Sequence, residues 1–155
     1  MAKVFYLSEV VNFAVAREQE AYNLYQQLSE EVQDQTAKMM FQHLMQEEMK
    51  HKEFYKEMLE HIEKEQTPRV AEDSEYVAYM QEMIAEARTA KRLSADDIRD
   101  VAAAVSYAME REKDSIMFYV GLKNFVPEHA YAAINKIIAE EGRHLALLIR
   151  FKQGL

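Results

Sequence analysis

Four stretches of this 155-residue chain carry an apolar or small residue at alternating steps of three and four, and each run is broken near its middle by a glutamate. That spacing keeps successive side chains on one face of an α-helix. The first seam is Leu7, Val11, Ala14, Glu18, Ala21, Tyr25, Leu28 and Val32, and the second is Ala37, Phe41, Leu44, Glu48, His51, Tyr55, Met58 and Ile62. The third is Ile98, Val101, Val105, Ala108, Glu112, Ser115, Tyr119, Leu122 and Val126. The fourth is Ala130, Ile134, Ile137, Glu141, His144, Leu148 and Phe151. A chain of this pattern folds as a helical bundle, with Glu18, Glu48, His51, Glu112, Glu141 and His144 turned toward its core.

Punctuation agrees. With only three glycines and two prolines, the chain is rich in helix formers and poor in turn residues, so the class is all-α. Ser8 is placed to cap a helix running to about Val32, and Asp34 to cap a second reaching about Glu65. The short link between them makes the pair antiparallel. A polar segment from Gln66 to Ser74 precedes a shorter helical pattern from Glu75 to about Lys91. Ser94, with Asp97 three positions on, resembles a capping box opening a third long helix to about Phe125. Pro127 suits the first turn of a fourth, which ends near Phe151. Two hairpins joined by a long crossover that contains a short extra helix form the ferritin-like type of four-helix bundle, in one domain spanning 1–155.

The halves repeat. Arg17-Glu18 corresponds to Arg111-Glu112, and Glu47-Glu48-x-x-His51 to Glu140-Glu141-x-x-His144. Glu112 follows Glu18 by 94 positions, while Glu141 and His144 follow Glu48 and His51 by 93. Such an offset implies a helix pair used twice about a pseudo-two-fold axis.

Four buried carboxylates at one level are unstable unless protonated or neutralised. The two seam histidines cannot balance four charges. Two divalent cations can, leaving both imidazoles neutral, and the mixture of carboxylate oxygen and imidazole nitrogen suits iron or manganese, with zinc also accepted. Glu-x-x-His places both ligands one turn apart on the same helix face. The competing reading is a metal-free Glu and His network that only sets helix register.

Other classes are excluded or left without support. The formal charge of −8 opposes binding to nucleic acid. The absence of cysteine removes disulfides, iron–sulfur ligation and thiol catalysis. No uncharged run approaches a membrane span and the N-terminal residues do not read as a signal peptide, so a cytoplasmic location is expected. His43, His61 and His129 are expected on the surface. Tyr25, Tyr55 and Tyr119 are expected to pack in the core, since Tyr25 and Tyr119 lie about 10 Å along the helix axis from their own glutamates. Glu47 and Glu140 are given no catalytic role. Tyr76, Tyr79, Met80 and Met83 of the crossover helix offer an apolar patch for a homodimer.

Glu18-x-x-Ala21-x-x-x-Tyr25, Glu48-x-x-His51, Glu112-x-x-Ser115-x-x-x-Tyr119 and Glu141-x-x-His144 resemble the rubrerythrin family of ferritin-like di-iron carboxylate proteins. The resemblance implies two iron ions bridged by Glu48 and Glu141. Glu18 with His51, and Glu112 with His144, would be the terminal ligands. It also implies an oxidoreductase that reduces peroxide or dioxygen. With no cysteine for a rubredoxin domain, electrons would come from an external donor such as a rubredoxin-like protein. The extra third-helix carboxylate of many rubrerythrins has no counterpart on the seam, where Ala108 stands. A ferritin-like iron-binding or ferroxidase protein is the alternative within the fold, and a metal-free helical interaction module is the alternative outside it.

Overall fold

A computed structural model describes residues 6–64, 75–89 and 99–155. Within them run α1 (Leu7–Glu31), α2 (Gln35–Lys64), α3 (Glu75–Thr89), α4 (Val101–Leu122) and α5 (Tyr131–Gln153), with a 3₁₀ turn at Glu128–Ala130. Helices α1 and α2 form one hairpin and α4 and α5 the other, giving the four-helix bundle with a crossover that contains α3.

Local chemistry explains the ends. Helix α1 starts one residue ahead of Ser8, with Tyr6 at the cap and its N–H facing Glu9 Oε2 at 3.5 Å. Ser8 therefore sits inside the first turn and does not cap, because Leu7 is already drawn into the core. Asp34 caps α2 as expected, its Oδ2 accepting from the Ala37 N–H at 2.9 Å. At the start of α4 the cap is Asp100, which accepts from Ala103 at 3.1 Å. The proposed box at Ser94 and Asp97, like the connector from Gln66 to Ser74, lies outside the described residues. Helix α4 stops at Leu122 and not at Phe125, since the backbone N–H and side-chain amide of Asn124 both turn back to the Gly121 carbonyl at 3.1 Å. Pro127 sits just before the 3₁₀ turn that leads into α5.

The seams face inward. Their long apolar members collect into two core layers, one on each side of the central glutamates and histidines. One layer joins Leu7 and Val11 of α1 to Tyr55, Ile62, Phe118, Leu122 and Ile134. The other joins Tyr25 and Leu28 to Phe41, Leu44, Val105 and Leu148. A bundle with two apolar ends can hold a polar middle, because the ends contribute the hydrophobic stabilisation.

The crossover helix corrects one expectation. Met80 is 0% exposed and Ile84 is buried with it, while Tyr79 and Met83 pack against the same core layer. This face of α3 is core covering and not a free apolar patch; the Tyr76 side chain lies outside the described residues. The period of a short amphipathic helix shows that it has an apolar face but not which neighbour covers it.

Candidate metal centre

Between the apolar layers, Glu18, Glu48, His51, Glu112, Glu141 and His144 are all buried. Their ligand atoms fall into two groups of four, Glu18, Glu48, His51 and Glu141, and Glu48, Glu112, Glu141 and His144. Within each group the atoms lie inside 4.8 Å of one another, close enough to hold a metal ion, and Glu48 and Glu141 belong to both. The structure thus brings all six sequence-identified residues to one place.

Each histidine reaches across to the other hairpin. His51 Nδ1 lies 2.9 Å from Glu141 Oε1, and His144 Nδ1 lies 3.1 Å from Glu48 Oε1. The rings stack with centroids 5.8 Å apart. Burial alone would lower the basicity of His51, but hydrogen bonds to Glu141, Glu18 and Glu48 outweigh it and hold the ring well above its ordinary pKa. For His144 the same opposition, with Glu112, Glu141 and Glu48 as partners, leaves it pushed up to about 12. Burial and the charge of Glu141 push Glu48 well above the carboxylate range, and burial and Glu112 do the same to Glu141. Burial also opposes ionisation of Glu112, yet hydrogen bonds from Glu141, His144 and Tyr25 bring it down to about 2. Without metal, such a site holds protons where cations would sit.

The fit to a metal pair can be tested on what remains unsatisfied. Among the described residues Glu48 Oε2 and Glu141 Oε2 are buried with no well-formed hydrogen bond, each having only the histidine of its own helix, His51 or His144, at 3.3 Å. An orphaned buried carboxylate oxygen is costly, and in both cases it belongs to a residue shared by the two ligand groups. Hard oxygen and borderline nitrogen donors in this number match divalent iron, manganese or zinc.

Two tyrosines depart from the sequence reading. The Tyr25 hydroxyl donates to Glu112 Oε1, and the Tyr119 hydroxyl to Glu18 Oε1. They are not simple core filler. Each is remote from the glutamate of its own helix but level with the glutamate of the other half, because α1 and α4 run antiparallel. Burial, reinforced by the charges of Glu112 and Glu18 respectively, pushes both phenols well above their ordinary pKa, so they stay protonated donors. Tyr55 matches the expectation of core packing: it stacks on Tyr119 at 5.0 Å, and its hydroxyl has no hydrogen-bond partner among the described residues.

A further ring of residues surrounds the six. Glu140 is mostly buried, and its Oε2 lies 2.7 Å from His51 Nε2, on the far side of the ring from the centre. Its counterpart Glu47 instead accepts from Lys50 Nζ at 2.9 Å, and that bond holds Glu47 below the usual carboxylate range. Arg17 is 4% exposed; its Nη2 donates to the Arg111 carbonyl at 3.1 Å and to Ser115 Oγ at 3.0 Å. Burial and the neighbouring Arg111 guanidinium lower the Arg17 pKa. The sequence reading passed over Arg17, whose only signal was its place beside Glu18 in the repeated Arg-Glu pair. His43, His61 and His129 are exposed, as expected. No helix among the described residues is long and apolar enough to cross a membrane.

Among curated proteins, none matches the sequence. A Thermotoga maritima crystal structure, provisionally assigned as a ferritin-like diiron-carboxylate protein, is 24% identical. The match covers 99% of this chain and 98% of that one, with a TM-score of 0.72, and so shares the fold. The family model described as Rubrerythrin matches residues 9–152, which takes in both hairpins and all six central residues. This chain belongs to the Rubrerythrin family.

Proposed function

We propose that this chain, as one domain over 1–155, is a non-haem di-iron oxidoreductase that reduces peroxide or dioxygen with electrons from an external donor such as a rubredoxin-like protein. In this reading Glu48 and Glu141 would be common ligands of two iron ions. Glu18 and His51 complete one site, and Glu112 and His144 the other. The observation that carries it is the pair of four-ligand groups sharing Glu48 and Glu141, each of which keeps an orphaned buried oxygen.

When bound and reduced, an iron pair supplies two electrons, one from each ion, to an O–O bond. The protein's own groups supply geometry. Tyr119 and Tyr25 donate to Oε1 of Glu18 and Glu112, which fixes the orientation of both carboxylates and leaves each a second oxygen outside that bond. With metal bound, Glu140, 2.7 Å from His51 Nε2, would accept its proton and so fix the neutral ring in the tautomer whose Nδ1 is free to ligate. The two apolar layers close the site above and below, leaving the side between α1 and α4 as its approach.

The test is stoichiometric. Iron-loaded, reduced protein mixed with hydrogen peroxide should consume about two one-electron donor equivalents per peroxide and turn over repeatedly. Accumulation of many irons per chain without donor oxidation would replace this reading with ferritin-like storage. The assembly proposed with the activity is a homodimer in the cytoplasm, although the face of α3 is already covered and is not its contact. Sedimentation giving a strict monomer would remove the dimer.

A further inference from the structure

Between α1 and α4 lies a cavity of about 350 Å³ whose lining includes Glu18, Glu48, Glu112 and Glu141. It is also lined by the buried Arg17, by Ser115, by the more exposed Glu20 and Arg111, and by the apolar Ala21, Leu24 and Tyr107. This volume lies in the range of small-molecule sites and is far larger than a diatomic oxidant fills; a water molecule's share of liquid is only about 30 Å³.

The charges of the lining point one way. At the rim Arg111 and Glu20 form an ion pair and cancel. Resting on the dimetal reading above, two divalent ions would cancel the four inner carboxylates. Arg17 is then the buried cation left in the lining, with Asp114 and Glu18 the carboxylates that act on its charge. Among the described residues it makes no ion pair: its Nη2 donates only to a backbone carbonyl and a serine hydroxyl, and its Cζ lies 5.7 Å from the Phe13 ring centroid. Its Nε–H is buried with no acceptor among the described residues. A buried guanidinium with an unused donor is costly unless a ligand completes it, and the planar fork suits a carboxylate or a similar oxyanion.

We propose that the metal-loaded cavity binds a small organic monoanion, a short-chain carboxylate, whose charged end is held by Arg17 and whose alkyl tail lies along Ala21, Leu24 and Tyr107. An anion seated there occupies the path from the rim to the four carboxylates. Short-chain carboxylates therefore compete with the oxidant.

Zinc-loaded protein, which is redox-silent, separates binding from turnover. Metal content is measured first, and formate, acetate and butyrate are then titrated by calorimetry. Affinity should rise by about fourfold per methylene, following burial of the tail. Arg17→Gln should weaken butyrate by about ten- to a hundredfold with zinc content unchanged, as expected for loss of a hydrogen-bonded charge. Arg17→Lys, which keeps the charge and loses the fork, should weaken it less, and it carries the same test should Arg17→Gln lose its helicity. Unchanged affinity in either folded variant, or equal binding of butyramide, overturns the proposal, for the anion would then be held by metal or shape alone. A wild-type chain retaining no zinc overturns the dimetal reading and this inference with it, and the metal count tells that failure apart from the others.

Discussion

The two halves of the centre match at the six central residues and differ one layer out. His51 reaches Glu141 just as His144 reaches Glu48, and Tyr119 holds Glu18 just as Tyr25 holds Glu112. Behind the histidines the match ends. Glu140 backs His51 at 2.7 Å, whereas Glu47 is taken by Lys50. Where α2 has Lys50, bonded to Glu47 Oε1 at 2.9 Å, α5 has Arg143, whose guanidinium approaches Glu140 Oε1 only to 3.7 Å. Repetition of a hairpin thus reproduces the inner residues, while the contacts behind the two histidines differ. The two metal positions should therefore be alike in ligands and unlike in affinity.

The largest expected effect ignores that asymmetry. Glu48→Ala and Glu141→Ala each remove a residue common to both groups, so either should abolish binding of the metal pair and not of one ion; metal counting after desalting checks this. A variant that keeps one tight ion would show that the halves are independent.

Proton competition comes next. Both histidines are raised in the metal-free protein, so each must lose a proton before it can ligate. Metal affinity should rise with pH, by about tenfold per unit for each proton displaced, as read by competition with a chelator from pH 5 to 8. The linkage for metal-free stability has the opposite sign. A histidine raised from 6.5 to about 12 stabilises the fold fully below pH 6.5, and this contribution is lost as the pH climbs toward 12. Metal-free protein should therefore melt at a lower temperature as the medium becomes alkaline, a trend differential scanning calorimetry would show.

Glu140→Gln and Glu47→Gln address the asymmetry directly. Loss of the carboxylate behind His51 should weaken one of the two metal sites by about ten- to a hundredfold. The Glu47 change, which removes an exposed-lysine contact, should leave both sites within about twofold. Equal losses would mean that metal binding redraws the outer layer into symmetry.

The smallest effects concern the tyrosines. Tyr25→Phe and Tyr119→Phe each strip a buried carboxylate of its donor and should cost about 1–3 kcal/mol in the metal-free protein. Tyr55 has no such partner, so Tyr55→Phe should be close to neutral or slightly stabilising in urea unfolding.

These contrasts also show how far the sequence could be read. The seams were legible because a residue repeating at steps of three and four must face one way; Val11, Phe41, Val105 and Ile134 are all buried where the pattern places them. The six central residues were legible because charge on such a seam conflicts with burial unless something neutralises it. The hydroxyl contacts of Tyr25 and Tyr119 were not, since they depend on the register between α1 and α4, and distance along one helix gives no measure of it. Arg17 lies one step off the seam, and its burial follows from its α4 partners, the Arg111 carbonyl and the Ser115 hydroxyl. Met80 was misread because an apolar face on a short crossover helix looks the same whether another element or solvent lies against it.

The central claim is that Glu18, Glu48, His51, Glu112, Glu141 and His144 hold two metal ions. Elemental analysis after anaerobic loading with ferrous ion and removal of the excess tests it most directly. Two irons per chain, lost together in Glu48→Ala, is the predicted result. Retention of no iron, and of no manganese or zinc under the same loading, would show that the six residues form a protonated polar network and would contradict the account.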